Sequence, residues 1–155
     1  MPIHYRFAQL SDCLTVFKWR NEESVRLSSR NQALIPISQH NAWFAARVSN
    51  IQKEPILIFS CESVDVGYTR LDILDSFKGI IEVSIAITAE LRNKGFGSLM
   101  MEATIEVAGT LLGAREIIAT IRKGNQVSLK LFAAAGFKEF ETSAEFVALR
   151  LSLSE

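Results

Sequence analysis

The hydrophobic pattern opens with alternation. Ile3, Tyr5 and Phe7 alternate with His4, Arg6 and Ala8, the period of two that a strand with one buried face requires. The period then lengthens. Cys13, Leu14 and Phe17 fall on one side of a helix that Ser11 can cap and that is expected to end near Trp19. A second helix is expected behind Ser38 as its cap, with Trp43 and Arg47 four residues apart. Between them, Arg20 to Ile37 reads as irregular chain or a broken helix. Ile56-Leu57-Ile58-Phe59 is an unbroken apolar run, consistent with a strand buried on both faces. Val64 to Leu74, interrupted by Gly67, and Ile80 to Thr88 follow at the spacing of an antiparallel meander. A helix from about Gly95 to Leu112, a strand from Glu116 to Ile121 and a helix from Gln126 to Ala135 come next. A short strand (Phe137 to Phe140) precedes a last strand in which Val147, Leu149, Leu151 and Leu153 share a face. The predicted order, β-α-α-β-β-β-α-β-α-β-β, is that of an α/β domain with a mixed sheet.

Composition narrows this to one unit. A chain of 155 residues, 48% hydrophobic, has the size of a single domain. The prolines lie within the first 55 residues and the glycines between Gly67 and Gly136, yet no linker separates these dissimilar halves. We therefore expect one domain over 1–155. Lys and Arg number 17, and so do Asp and Glu. The balance lacks the basic excess of a nucleic-acid footprint. No run approaches the ~20 apolar residues of a membrane span. The opening Met1-Pro2-Ile3-His4-Tyr5-Arg6 has no basic stretch leading into an apolar core, so the expected location is cytoplasmic. Cys13 and Cys61 are too few and too far apart for a disulfide framework or a metal site, and both are expected to be buried small hydrophobes.

Chemistry concentrates at Arg92-Asn93-Lys94-Gly95-Phe96-Gly97-Ser98, between a predicted strand and a predicted helix. Alternate glycines allow a tight turn and close approach to the amides. The helix N-terminus beyond offers unpaired N–H groups and a positive dipole end, where a phosphate is stabilised. An ordinary helix-capping turn has the same composition. A dinucleotide fingerprint needs a third small residue where Met100 stands, and belongs to the first strand–helix unit. The remaining reading is a cradle for the pyrophosphate of coenzyme A.

In element order nearly the whole chain, and most sharply Glu82 to Phe137, resembles the GNAT superfamily of acyl-coenzyme-A-dependent N-acetyltransferases. Arg92, Gly95 and Gly97 match that family's glycine turn. Asn125, Ser128, Leu131-Phe132 and Gly136-Phe137 match a second motif on the following helix. The resemblance implies a GNAT-like, mostly antiparallel mixed sheet flanked by helices, and a strand, Ile80 to Thr88, that splays from the next parallel strand. Acetyl-coenzyme A is the implied cosubstrate, with no metal. Its pantetheine arm would lie along Ile85 and Ile87, its pyrophosphate on the amides of Asn93, Lys94, Gly95, Phe96, Gly97 and Ser98. A backbone N–H near Ile85 would polarise the thioester carbonyl. Two departures stand out. Asn93 replaces a customary Gly, which Asn can do because it tolerates left-handed backbone angles. Phe132 replaces a Tyr whose hydroxyl protonates the departing thiolate in many members, and Phe132 cannot.

The acceptor is expected to be a small-molecule primary amine that attacks directly, without nucleic acid or membrane as partner; a homodimer is compatible with this reading. Glu82 is the first candidate for the base, with His40 and Tyr68 as further catalytic candidates. Each has a structural alternative: a solvated strand residue, a capping histidine, a core tyrosine. Trp19, Arg20, Asn21, Arg26, Arg30, Asn31 and Trp43 resemble a branch that acetylates nucleotide-linked deoxyamino sugars, as in pseudaminic-acid-type pathways. Arginines suit a sugar-nucleotide diphosphate, and removing any of the three would then raise the acceptor KM. Trp-Arg-Asn also occurs in branches acting on ribosomal-protein N-termini. A coenzyme-A-binding module without catalysis is the remaining class.

Overall fold

A computed structural model describes residues 2–153; Met1, Ser154 and Glu155, at the ends of the expected 1–155 domain, lie outside the described residues. The elements are β1 (His4–Phe7), α1 (Cys13–Asn21), α2 (Glu23–Ser28), α3 (Ile37–Ser49), β2 (Ile56–Cys61), β3 (Val64–Asp75), β4 (Ile80–Ile87), α4 (Phe96–Leu112), β5 (Glu116–Arg122), α5 (Gln126–Ala134), β6 (Lys138–Thr142) and β7 (Phe146–Ser152). They form a seven-stranded sheet of order β1-β2-β3-β4-β5-β7-β6, in which only the β4–β5 pair is parallel. The mixed, mostly antiparallel α/β architecture expected from the sequence is the one observed. None of the described helices is long and apolar enough to cross a membrane.

The sheet has two covered faces, and β2 shows why its sequence does not alternate. Ile56 and Ile58 pack with Val16, Trp19 and Phe44 on the side of α1–α3. Leu57 and Phe59 pack with Met100, Met101 and Phe132 on the side of α4 and α5. With apolar neighbours on both sides, every position in the run is buried. Gly67, which interrupts β3, sits where β4 comes closest: a Cβ there would collide with the Ala86 carbonyl oxygen.

The starts of the first helices are where the sequence reading fails. Ser11 lies within a 3₁₀ turn (Leu10–Asp12) and caps nothing; Asp12 accepts the Gln9 N–H (2.8 Å) and a two-pronged ion pair from Arg6 (2.7 and 2.8 Å). The buried side of α1 is Val16 and Trp19, while Leu14 is exposed. Pro36, not Ser38, stands at the α3 N-cap, with no side chain capping it. The broken segment after Trp19 contains a short helix, α2, then loop. Cys61 is buried as expected, but Cys13 is half-exposed, its thiol donating to Asn41 Oδ1 at 3.3 Å.

Candidate active site

The sheet opens between β4 and β5. They pair only where Ile80, Ile81 and Glu82 face Glu116, Ile117 and Ile118. Beyond Glu82, β4 keeps its partner β3 while β5 continues against β7. The β5-facing edge of Val83–Ile87 is left without a strand, and such an edge accepts an extended chain. A cavity of about 640 Å³ fills the opening and reaches from Glu82 to the glycine turn.

At one end the cavity is backbone. Gly95 is the N-cap of α4 in the left-handed region (φ 84°), and Asn93 is left-handed too (φ 62°), as its place in the turn required. Together they direct the first amides of α4, which have no partner within the helix, toward the cavity. Arg92 fixes the turn to β4 by donating to the Ile87 carbonyl (3.0 Å). A Cβ on Gly97 would crowd Leu131 at 3.2 Å and Ile87 at 3.4 Å. The room left by its absence is a groove floor. Asn125 caps α5 by accepting the Ser128 N–H (3.1 Å). Of the residues expected to meet the coenzyme, Ile85, Ile87, Arg92, Asn93, Gly95, Phe96, Gly97, Ser98, Asn125, Ser128 and Leu131 line the cavity. Lys94 is exposed outside the lining. Phe132 is corrected: fully buried, edge-on to Phe137 with ring centroids 5.0 Å apart, it is core and does not face the cavity.

At the other end the cavity is side chain. β3 and β4 pair Tyr68 with Ala86, Arg70 with Ser84 and Asp72 with Glu82, so period two places all six on one face. Glu82 reaches the cavity at the fork, where its carboxylate accepts from Thr120 Oγ1 (3.1 Å) and pairs with the Arg30 guanidinium. Arg30 also donates to Thr120 (2.8 Å), and Arg122 on β5 holds its loop by donating to the Ser29 and Arg30 carbonyls (2.7 and 2.9 Å). The loop thus straps across the fork. Tyr68 lines the cavity although only 5% exposed; burial pushes its phenol pKa up, against the pull of Arg70, Arg20 and Arg47. It stays protonated and can donate.

Several acceptor-side expectations are redrawn. His40 is neither a cap nor in the cavity: it lies in the first turn of α3 with 0% exposure, enclosed by Phe17, Trp43 and Phe44. Burial lowers its pKa, and it does not line the cavity. Trp19 is core, stacked on Tyr68 at 5.9 Å. Trp43 stays behind Arg20, outside the lining. Asn21 brackets Ile35, donating to its carbonyl (3.1 Å) and accepting its N–H (2.8 Å). Arg26 is spent on the carbonyls of Asn21 (3.3 Å) and Gln32 (2.9 Å). Arg20, Arg30 and Asn31 remain in the cavity. Arg70, Ser84 and Thr120 line it without having been singled out, and Arg122 was missed as the strap's anchor. Tyr68, Arg70 and Asp72 recur at period two, the signal that could have found Arg70.

Comparison with known proteins agrees with this geometry. Residues 3–138 match the family model described as acetyltransferase (GNAT) domain. The chain is 31% identical over 112 residues to an L-methionine sulfoximine/L-methionine sulfone acetyltransferase of Pseudomonas paraeruginosa, covering 70% of this chain and 63% of that protein. It is 37% identical over 98 residues to human alpha/beta-tubulin-N-acetyltransferase 9, covering 62% and 47%. The matches thus span less than two thirds of either relative's length. Among solved structures, a phosphinothricin acetyltransferase from Sinorhizobium meliloti in complex with acetyl-coenzyme A shares the fold, with a TM-score of 0.84 at 18% identity over 99% of this chain and 89% of that one.

Proposed function

The chain belongs to the GNAT acetyltransferase family, and from that premise we propose that it transfers an acetyl group from acetyl-coenzyme A to the primary amine of a small molecule. One observation carries the reading: β4 parts from β5 over a single cavity that joins the glycine turn to Glu82. The residues at the turn fit the coenzyme. Amides at the head of α4, with Arg92 beside them, suit a pyrophosphate, and the free edge of Val83–Ile87 suits the amides of pantetheine. When bound, the coenzyme supplies an activated acyl thioester.

The chain's own groups do the rest. An N–H on the free β4 edge polarises the acyl carbonyl. Glu82 takes the amine's proton, directly or through water, once the incoming amine has displaced Arg30 from its carboxylate. Phe132 gives no proton to the departing sulfur. Tyr68 is the phenol in the cavity, held protonated by burial, and is the donor we assign.

One relative is named for a compact amine, methionine sulfoximine or sulfone, and another for tubulin; the 640 Å³ cavity, which must hold both the pantetheine arm and the acceptor, favours the compact class. Nucleotide-linked amino sugars remain a second acceptor class on one observation: Arg20 and Arg30 line the cavity. Release of coenzyme A thiol from acetyl-coenzyme A, measured with amino acids, free and nucleotide-linked amino sugars, polyamines and N-terminal peptides, tests the proposal. Turnover of small amines is expected. Turnover confined to peptides would replace the acceptor class, and coenzyme binding with no turnover would make the chain a binding module.

A further inference from the structure

We propose that Arg20 forms an anion subsite for the acceptor, taking the carboxylate of a compact amino acid whose amine faces Glu82. The inference rests on the amine-acetyltransferase reading and adds the class of acceptor to it.

Arg20 carries a charge without a counter-charge among the described residues. Arg20, in the last turn of α1, lies over the Trp43 ring at 4.0 Å from its centroid and lines the cavity. Among the described residues no carboxylate stands within ion-pair distance of it. Its polar partner is His40 Nδ1 at 3.0 Å. His40 Nε2 lies 2.8 Å from the Cys13 carbonyl, which can only accept, so Nε2 carries the proton and Nδ1 is left to accept from Arg20. The imidazole is neutral in this arrangement. It aims the guanidinium and cancels none of its charge.

The surroundings add positive charge. The Arg47 and Arg70 guanidiniums approach the same Trp43 ring at 5.5 and 5.6 Å, and both pair with the one carboxylate of Asp72. The three guanidiniums around Trp43 therefore have one carboxylate among them, and it is taken by Arg47 and Arg70. Burial and the two neighbouring cations lower the pKa of Arg20. A partly buried, unpaired cation beside like charges is unfavourable, and an oxyanion entering the cavity would relieve it. Arg20 offers a planar fork suited to a carboxylate. Glu82, the one carboxylate lining the same cavity, stands ready for the ammonium end. A molecule with one positive and one negative group satisfies both ends.

Initial rates at saturating acetyl-coenzyme A, with L-methionine sulfone and with its carboxamide as probes, give the preference for a carboxylate as a ratio of kcat/KM. Arg20→Gln is expected to reduce that ratio by about 10- to 100-fold, the loss that follows when a charge-assisted hydrogen bond is removed. Arg20→Lys, which keeps the charge but loses the planar fork, is expected to retain part of it. An unchanged ratio in Arg20→Gln overturns the subsite. Should that variant fail to fold, the wild-type chain decides: the amine-free carboxylate 4-methylsulfonylbutanoate is expected to compete with acceptor, and its amide is not. Equal competition by both overturns the subsite while leaving amine acetylation intact. Calorimetry with coenzyme A present separates the two readings, since selective binding of the carboxylate without turnover of any amine would keep the subsite and remove the activity.

Discussion

At the end proposed for the coenzyme, the cleft is made of backbone: a left-handed Asn93–Gly95 turn, the first amides of α4 and the free edge of β4. At the acceptor end it is made of side chains brought from α1, the strap, β3, β4 and β5: Arg20, Arg30, Tyr68, Arg70, Glu82 and Thr120. On this proposal the two ends bind by different means. A backbone site needs glycines and a helix start in fixed succession, which a seven-residue stretch can specify. A side-chain site needs only that the topology deliver the right groups, so its residues are scattered and replaceable. The comparison implies that substitutions should separate cleanly into those that move coenzyme affinity and those that move acceptor kinetics.

The largest effect should come where the two ends meet. Glu82→Gln keeps the shape and the contact with Thr120 but cannot take a proton. We expect kcat to fall by on the order of 10²-fold, the lower range for a positioned base, with coenzyme affinity by calorimetry unchanged within about twofold. Loss of coenzyme binding in this variant would merge the two ends into one site.

Gly97→Val attacks the backbone end alone. The added methyls would crowd Leu131 and Ile87, whose contacts with a Cβ already stand at 3.2 and 3.4 Å, and would rise into the groove. A clash with the bound coenzyme of the size of an overpacked contact, about 1–3 kcal/mol, corresponds to roughly 5- to 160-fold weaker acetyl-coenzyme A binding. Acceptor preference among amines should not change. Wild-type affinity in a folded variant would remove the turn from the coenzyme site.

Arg30→Ala probes the strap and should act in the opposite direction to the sequence expectation. As a diphosphate ligand Arg30 would raise the acceptor KM when lost. In the structure its guanidinium sits on Glu82, where an incoming ammonium must go. Exposed ion pairs of this kind are worth about 0.2–1 kcal/mol, so removing the competitor should lower the acceptor KM by up to about fivefold. A raised KM, with the carboxylate preference also lost, would return Arg30 to the ligand set.

The same contrast explains what could be read from the chain. The α4 turn and the two-faced core of β2 were legible because each follows from local period or backbone geometry, whereas the left-handed Asn93 and the parting of β4 from β5 came from the family resemblance. His40, Trp19, Arg26 and Phe132 were misplaced because residue type says nothing about which face of a helix meets the sheet. Trp19 and Phe132 point into the two cores, and Arg26 turns back on its own loop. Arg70 was passed over because an arginine alternating with Thr69 and Leu71 on a strand reads as an ordinary solvated residue. Only the pairing of β3 with β4 sets it beside Ser84.

The smallest expected effect tests His40, the residue whose role changed most. Its folded pKa is lowered, first by burial and then by the charge of Arg20, while the unfolded chain titrates near the ordinary 6.5. Below that value the unfolded chain takes up a proton that the folded chain resists. Stability from this group is therefore complete above about pH 7.5 and declines as pH falls through the unfolded value toward the folded one. One proton sets the limit, roughly 1.4 kcal/mol per pH unit, or about 3–5 °C in Tm for a domain of this size. Asp12 behaves differently. The ion pair with Arg6 holds its carboxyl below the ordinary 3.8, so its contribution is lost only in more acid solution. A melting series from pH 8 to 5 should show the decline in the wild type and a flatter line in His40→Gln, whose amide can still accept from Arg20 but does not titrate. In the wild type, protonation would also replace the acceptor at Nδ1 with an N–H facing Arg20, so the acceptor KM should rise at the acid end while coenzyme affinity holds. A pH-independent acceptor KM would mean that His40 only fills space and that Arg20 is aimed by Trp43 alone.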